Sequence, residues 1–242
     1  MVNIALIFAG GTGQRMNTRT VPKQFLELHG KPIIVYTIEQ FQHHPLINGI
    51  VVVMLEDWIE RFRNFARRYC LDKVLSVVAG GDNGQASIYN GLKEVSELCP
   101  PNSTVLIHDG VRPLISDKTI TLAIECVKAH GSAVTVSPAI ETVTLEDGLG
   151  RISTILERSN CKLAKAPQCF VLENILSAHE KAIADGKNNF IDSASLMQYY
   201  GYDLYTVEGF PENIKITTPS DFYIFRAFVD VKENSQIFGY EF

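Results

Sequence analysis

Residues 3–16 read NIALIFAGGTGQRM, so an unbroken apolar run ends abruptly at a glycine-rich turn. Apolar residues without polar alternation are typical of a parallel strand that is covered on both faces of its sheet. Glycines after such a strand let the backbone approach a ligand, and successive N–H groups there form a concavity that binds anions. The stretch therefore predicts an α/β fold, whose first turn is either a phosphate-binding loop or only a tight connection to a helix.

The spelling of this turn excludes two common phosphate loops. Counted from Gly11, the dinucleotide fingerprint G-x-G-x-x-G would need a third glycine where Met16 stands, and no Lys-Ser or Lys-Thr follows Gly13 as in a Walker loop. Two cations nevertheless accompany the turn, Arg15 within it and Lys23 shortly after it. Because such cations neutralise charge that develops on phosphorus during displacement, they favour a triphosphate ligand over a purely structural turn.

The rest of the chain alternates predicted strands and helices. Short apolar runs predict strands, and stretches with a helical apolar period predict helices between them, which indicates a mostly parallel sheet flanked by helices. No internal repeat or linker divides the 242 residues, so we expect a single domain over residues 1–242. The predicted strands are Ile4–Ala9, Ile50–Leu55, Val74–Ala79, Thr104–His108 and Ala133–Ser137, and the predicted helices are Ile33–Phe41, Trp58–Tyr69, Ala86–Val95, Ile120–Ala129, Leu172–Ala184, Ser193–Tyr200 and Pro219–Val231.

One segment departs from this alternation. Residues 141–156 read ETVTLEDGLGRISTIL, two β-branched runs on either side of Asp147-Gly148, which is a hairpin signal. The runs are too polar for a central strand of the sheet. We therefore expect a β-arm at about residues 139–170, either a surface hairpin of its own subunit or an arm that reaches a second subunit.

The composition limits the possible partners and compartment. Lys and Arg number 22 against 27 Asp and Glu, for a formal net charge of −5, which argues against a general nucleic-acid binder. No apolar run approaches the length of a membrane span. We therefore expect a cytoplasmic protein without nucleic-acid or membrane partners. The five cysteines are odd in number and lack metal-ligand spacing, which fits a reducing cytosol: Cys70, Cys99, Cys126, Cys161 and Cys169.

Three further polar clusters follow predicted strands or precede predicted helices. Residues 79–87 read AGGDNGQAS, residues 108–113 read HDGVRP, and residues 212–221 read ENIKITTPSD. The acidic Asp109 at a buried strand end needs a counter-ion, which is either a metal or the nearby Arg112. Lys215 is predicted to lie in a short strand of the last cluster.

Together the five motifs resemble the sugar- and polyol-phosphate cytidylyltransferases. AGGTGQRM, PKQFL, AGGDNGQAS, HDGVRP and ENIKITTPSD occur in the order and spacing of that family, over roughly residues 1–230. The resemblance implies a Rossmann-like nucleotidyltransferase fold and a homodimer that exchanges its β-arm. It also implies that CTP and a polyol phosphate react, with Mg²⁺, to give a CDP-polyol and pyrophosphate.

The resemblance also assigns roles to individual residues. It places the catalytic cations at the charge that develops on the α-phosphorus and at the reacting phosphates: Arg15, Lys23 and Lys215. It assigns Thr142 and Arg158, on the arm, to the acceptor phosphate across the dimer. It assigns nucleotide binding to the first loop and to the cytosine turn: Ala9, Gly10, Gly11, Thr12 and Gly13, and then Gly81, Asp82 and Ser87. It also assigns nucleotide binding to Asp109, beside the ribose, and makes the same residue the metal ligand.

Two departures from the family pattern concern the acceptor. Ala166 and Ile191 stand where the methylerythritol enzymes have threonines near the acceptor, so two hydroxyls are missing. Thr12 and the spelling DGVRP agree better with the polyol branch. We therefore expect ribitol 5-phosphate or a related alditol phosphate as acceptor, for synthesis of a cell-surface polymer. The alternatives are methylerythritol phosphate in isoprenoid synthesis and a nucleotide-binding module without turnover, which has no need of all the cations named above.

Overall fold

The computed structural model of the chain describes residues 1–10 and 21–238, and it confirms the predicted α/β class. Apolar and β-branched runs form the central strands, and those over residues 3–9, 49–54 and 104–109 are buried on both faces. The strands are β1 Asn3–Ala9, β2 Glu27–Leu28, β3 Lys31–Pro32, β4 Gly49–Met54, β5 Val74–Ala79, β6 Thr104–Asp109, β7 Ser132–Pro138, β8 Thr144–Glu146, β9 Ile152–Ile155, β10 Lys162–Val171 and β11 Thr206–Glu208.

The α-helices lie between these strands, close to their predicted positions. Side-chain caps define several of their first residues: Asn83 accepts a hydrogen bond from the Ala86 N–H, and Ser116 from the Thr119 N–H. The helices are α1 Ile33–Gln42, α2 Ile59–Arg68, α3 Gly84–Leu98, α4 Asp117–His130, α5 Leu172–Ala184, α6 Ser193–Tyr199 and α7 Pro219–Phe238.

Seven strands form the main sheet, in the order β11-β7-β10-β6-β1-β4-β5. All neighbouring pairs are parallel except those of β10, which runs antiparallel to both β6 and β7. Two large apolar clusters cover the two faces of the sheet, one centred on α1, α2 and α4 and the other on α3, α5 and α6. Residues from successive parallel strands are therefore held in a rigid frame at the carboxyl edge of the sheet.

Strand β10 was missed by the sequence prediction, although it lies in the middle of the sheet. Its sequence KLAKAPQCFV contains two lysines and a proline, and a proline normally argues against a central strand. The ladder with β7 shifts register between Ala164 and Gln168, and this irregularity accommodates Pro167. Of the predicted arm at 139–170, only the exposed hairpin β8–β9 projects, because Lys162 already pairs with Pro138 of β7.

The prediction for Lys215 is also wrong in its secondary structure. Residues 213–217 form an irregular extended segment, not a strand. Ile216 is fully buried there, in a small cluster with Val111 and Phe225, and its N–H donates to the Val111 carbonyl oxygen. Burial of Ile216 and this backbone bond thus help to hold the segment without a sheet partner. In the described part of the chain, no helix is long and apolar enough to cross a membrane.

Candidate active site

The predicted site residues of the described strands lie level with one another at the carboxyl edge of the sheet. Phe8 of β1 pairs with Asp109 of β6, and Ala9 pairs with Met54 of β4. Met54 in turn pairs with Ala79, the last residue of β5. The turns that begin after Ala9, Ala79 and Asp109 therefore start at one height, which is where ligands bind in open α/β sheets.

Two of these turns converge on the buried hydroxyl of Ser87. The Ser87 Oγ accepts a hydrogen bond from the Gly81 N–H at 3.0 Å and donates to the Asn83 carbonyl oxygen at 2.8 Å. A Cβ atom on Gly10 would lie 3.2 Å from this oxygen, and a Cβ atom on Gly80 would lie 2.9 Å from it. A side chain at Gly80 would therefore displace Ser87, and one at Gly10 would be tightly packed against it.

The segment that carries Lys23 is fixed to the end of β1. The buried Gln24 side chain donates from Nε2 to the Ala9 carbonyl oxygen at 2.6 Å. Phe25 is buried beside it and its ring stacks on that of Trp58, with centroids 4.5 Å apart. Trp58 thus packs on a neighbouring aromatic ring, as its helical context indicates. The backbone of Lys23 is consequently held near the end of β1 by the hydrogen bond of its neighbour Gln24.

A compact ion cluster follows β6. Asp109 is 5% exposed, and its two carboxylate oxygens are both engaged: Oδ2 with Arg112 Nε at 2.7 Å and Oδ1 with Lys215 Nζ at 2.5 Å. Arg112 also donates to the Asn213 carbonyl oxygen at 2.8 Å. The cluster therefore joins the turn after β6 to the irregular segment that carries Lys215, and it shows Arg112 as a counter-ion of Asp109, which was one of the two predicted alternatives.

This cluster controls the protonation of its members. Burial raises the pKa of Asp109, but the charges of Lys215 and Arg112 outweigh burial, and the net effect is a lowered pKa. The neighbouring His108 is fully buried, and loss of hydration lowers its pKa to about 4. Near neutral pH the cluster therefore holds an ionised carboxylate, two cations and a neutral imidazole.

Asp109 also fits a metal ligand of one particular kind. Mg²⁺ in nucleotide sites is held by one or two carboxylates together with phosphate oxygens and water. In the described residues, the single group of three potential metal ligands is His29, Asp230 and Glu233, and it does not include Asp109. The donor set near Asp109 thus suits an ion shared with substrate phosphates, and it does not form a cage of protein ligands alone.

The ion cluster lies at the rim of a cavity of about 640 Å³. Its described walls carry three cations, the carboxylates of Asp109 and Asp192, and amide or hydroxyl side chains, with apolar residues between them. The cations are Arg112, Lys165 and Lys215, and the amide or hydroxyl groups belong to Asn83, Gln85, Gln168, Asn188, Asn189 and Ser193. Cations together with hydrogen-bonding groups suit a phosphorylated ligand that is rich in hydroxyls.

A hydrogen-bonded pair of side chains, Gln168 and Asp192, forms part of the cavity wall and is here called the latch. Gln168 donates from Nε2 to Asp192 Oδ2 at 2.7 Å and accepts at Oε1 from the Ala194 N–H at 2.8 Å. Asp192 also caps α6 by accepting from the Ser195 N–H. The latch places both residues that depart from the family pattern, Ala166 and Ile191, on the cavity wall. Ile191 is 94% exposed, so an apolar side chain lies free at the cavity mouth.

The two predicted acceptor residues lie elsewhere in the same chain. Thr142 and Arg158 are exposed on the arm, and neither lines the cavity. The Arg158 guanidinium donates to the Ile140 carbonyl oxygen at 3.2 Å. Four predicted residues of the first turn, Gly11, Thr12, Gly13 and Arg15, lie outside the described residues. Asp82 is exposed on the turn that Ser87 holds, away from the cavity lining.

Sequence reasoning missed several groups that the fold brings to the site. Lys165 lines the cavity and donates to the Pro211 carbonyl oxygen at 2.8 Å. Burial and then the charge of Arg112 lower its pKa. Gln85 and His179 also line the cavity, although α5 is distant from α3 in the sequence. The buried face of α5 is apolar except for His179. A polar residue on an otherwise apolar face was the feature of the sequence that could have identified His179.

Cytidylyltransferases of two kinds, named for different acceptors, are similar to this chain over nearly its whole length. A ribitol-5-phosphate cytidylyltransferase of Vibrio parahaemolyticus is 51% identical over 98% of this chain and all of that protein. One from Streptococcus agalactiae is 52% identical over 99% of this chain and all of that protein. A 2-C-methyl-D-erythritol 4-phosphate cytidylyltransferase of Clostridium botulinum is 39% identical over 90% of this chain and 93% of that protein.

Solved structures agree on the fold. A 2-C-methyl-D-erythritol 4-phosphate cytidylyltransferase from Francisella tularensis superposes with a TM-score of 0.75 at 29% identity, covering 92% of this chain and 97% of that one. The family model for 2-C-methyl-D-erythritol 4-phosphate cytidylyltransferase (IspD) matches residues 3–231. With this match over most of its length, and with relatives about half identical from end to end, the chain belongs to the IspD cytidylyltransferase family.

Proposed function

We propose that this chain transfers CMP from CTP to ribitol 5-phosphate, giving CDP-ribitol and pyrophosphate. The observation that carries the choice of acceptor is end-to-end identity of about half to relatives named for ribitol 5-phosphate. The cavity wall agrees with this choice, because Ala166 and Ile191, where the resemblance expects threonines in the methylerythritol enzymes, line the same cavity as Asp109 and Lys215. We place the reaction in the cytosol and its product in the synthesis of a surface polymer.

The chemistry we propose is an in-line displacement at the α-phosphorus of CTP. An oxygen of the acceptor phosphate forms the new bond to phosphorus while the bond to pyrophosphate breaks, and no covalent enzyme intermediate is needed. Lys215 approaches Asp109 within hydrogen-bonding distance and has a side chain that is 39% exposed, so it can transfer its contact to an incoming phosphate. Arg15 and Lys23 would stabilise the charge that develops at the α-phosphorus.

We propose that Asp109 takes a second role once the nucleotide is bound. Its Oδ1 would be released by Lys215 and would hold Mg²⁺ together with phosphate oxygens, while Arg112 keeps Oδ2 in place. The ion would neutralise phosphate charge. Gly81, Asp82 and Ser87 would present backbone and side-chain groups to cytosine, on the turn that Ser87 holds.

We also propose a homodimer in which the arms exchange. The exposed hairpin carries apolar side chains with no cover of their own, including Leu149 at 76% exposed and Ile152 and Ile155 at 65% each. An isolated two-stranded ribbon is marginal in water, so a second copy is the natural partner for this surface. Exchange would bring Thr142 and Arg158 to the acceptor phosphate of the other subunit, since neither reaches its own cavity.

The test is a pyrophosphate-release assay with CTP, Mg²⁺ and a panel of acceptors. We expect turnover with ribitol 5-phosphate to exceed that with 2-C-methyl-D-erythritol 4-phosphate, and CTP to be preferred over ATP and GTP. A higher kcat/KM for the methylerythritol substrate would reassign the acceptor. Equal or better use of ATP would overturn the role of the Gly81–Ser87 turn, and no release with any acceptor would favour a module without turnover.

A further inference from the structure

The large cavity has two chemically different ends. Arg112 and Lys215 meet at Asp109 on one side. At the other side, Asn83, Gln85, His179 and Asn188 line both this cavity and a smaller one of about 270 Å³, so these four share one wall. The described cations of the large cavity are not among them. A ligand with a phosphate at one end and neutral hydroxyls at the other would match this division.

Two neighbouring amide side chains of the large cavity have no hydrogen-bond partner among the described residues. Asn188 and Asn189 are exposed, line the large cavity, and make no side-chain hydrogen bond to any other described residue. Each amide offers two donor hydrogens and one acceptor oxygen. Adjacent amides with free donors and acceptors are suited to the alternating hydroxyls of an alditol chain.

Gln85 fixes the segment that carries these amides. Its Nε2 donates to the Lys187 carbonyl oxygen at 2.9 Å, and its Oε1 accepts from the Phe190 N–H at 3.1 Å. The two bonds bracket Asn188 and Asn189 on both sides. Because Gln85 belongs to the first turn of α3, which follows the Gly81–Asn83 turn, the wall is tied directly to the predicted cytosine site.

The buried imidazole of His179 also lines this cavity, and its two ring nitrogens make no hydrogen bond to the described residues. The side chain is 1% exposed. Its ring stacks on Tyr89, with centroids 5.9 Å apart. A buried polar group without a partner is costly, so a polar atom supplied from the cavity would be favourable here.

We propose that Asn188 and Asn189, here called the amide wall, together with His179 bind the hydroxyl chain of the acceptor, and that Gln85 is the positioning residue that holds the two asparagines. This inference rests on the proposed function and adds to it the site that distinguishes acceptors by the length of their alditol chain. Hydroxyls far from the phosphate would contact the amide wall, whereas the phosphate would remain with the cations.

The test pairs deletions on the enzyme with deletions on the substrate. kcat/KM is measured for ribitol 5-phosphate, erythritol 4-phosphate and glycerol 3-phosphate, with the wild type, the Asn188→Ala/Asn189→Ala variant and Gln85→Leu. Asn102→Ala is the matched control, because Asn102 is exposed and lies outside both cavities. Melting temperature and the KM for CTP are recorded for every variant.

We expect the double variant and Gln85→Leu each to lose about tenfold in kcat/KM with ribitol 5-phosphate, as for one or two hydrogen bonds. The loss should shrink with erythritol 4-phosphate and disappear with glycerol 3-phosphate, with the KM for CTP unchanged. His179→Phe, which keeps a ring beside Tyr89, should show the same dependence on chain length.

Other outcomes separate the two proposals. An equal loss with all three acceptors, or no loss with any of them, would overturn the role of the amide wall while leaving the proposed function intact. A wild type that is inactive with all alditol phosphates would instead overturn the proposed function. If the double variant melts far below the wild type, the single variants Asn188→Gln and Asn189→Gln decide the matter by the same dependence on chain length.

Discussion

Two aspartate–arginine pairs of similar geometry occupy opposite environments in this molecule. Asp109 and Arg112 lie 2.7 Å apart at the carboxyl edge of the sheet, where their side chains are 8% and 12% exposed. Asp147 and Arg151 lie 2.8 Å apart on the exposed hairpin. Only the first pair is joined by a further cation and by a buried histidine. Burial and further contacts, and not the distance between the two charges, therefore decide whether such a pair affects stability and function.

The largest effect is expected from removal of the buried carboxylate. Asp109→Ala leaves Arg112 and Lys215 without their partner, which should lower the free energy of unfolding by about 3 kcal/mol, the low end for a broken buried pair because Lys215 is partly in water. Activity should fall by at least about 10²-fold, since a charge at the reacting phosphates is misplaced. Urea unfolding and pyrophosphate release measure the two effects. Unchanged values for both would contradict the site as described.

Replacement of Lys23, the cation that follows β1, is expected to slow the chemical step alone. Lys23→Ala should lower kcat by about 10²–10³-fold with little change in CTP affinity, because its charge is needed most in the transition state. Gln24 should keep the backbone in place, so the fold is retained. The measurement is steady-state kinetics with an independent CTP-binding titration, and near-normal kcat would remove Lys23 from the catalytic residues.

Replacement of Arg158 on the arm is expected to weaken acceptor binding at the site of the other subunit. Arg158→Ala should raise the KM for the acceptor by about tenfold, as for one charge-assisted contact, and leave CTP binding nearly unchanged. Mixing Arg158→Ala chains with Lys23→Ala chains should restore part of the activity, because one site of the mixed dimer receives both defects and the other neither. A monomer in sedimentation, or no recovery in a verified mixed dimer, would rule out a composite site.

Acid should destabilise the buried region before it affects the arm. Burial lowers the pKa of His108 and of His179 from 6.5 to about 4. Between these values the unfolded chain binds more protons than the folded one, so stability falls as the pH decreases from 6.5 to 4, by roughly 3 kcal/mol per histidine at the lower limit. His108→Gln should flatten the melting temperature against pH over this range. An unchanged slope would show that His108 does not titrate as described.

The smallest effect is expected from the exposed pair. Arg151→Ala should shift the melting temperature by less than about 1 °C, because water and salt screen such a pair. It should also leave kcat unchanged, since Arg151 lies at the turn of the hairpin, outside the cavity. Differential scanning calorimetry at two salt concentrations would measure this. A large shift would mean that the arm pair is buried in the dimer.

Part of the molecule could be predicted from the sequence because it depends on local patterns. Continuous apolar runs specify strands that are covered on both faces, and the predicted helices begin and end within a few residues of the observed ones, except that α7 continues to Phe238. The hairpin at Asp147-Gly148 follows from turn chemistry. The family resemblance rests on motifs whose residues adjoin strand ends, and it is confirmed.

Tertiary structure alone decided the rest. Strand β10 lies in the sheet despite Pro167 because its neighbours β6 and β7 supply partners on either side and the register shift accommodates the ring. Lys215 reaches Asp109 from more than a hundred residues away because burial of Ile216, not strand pairing, holds its segment. The latch of Gln168 on Asp192 and the bracket of Gln85 around Asn188 and Asn189 likewise join distant segments. Hydrogen bonds between such segments leave no periodic trace in a sequence, since their partners are chosen only when packing brings them together.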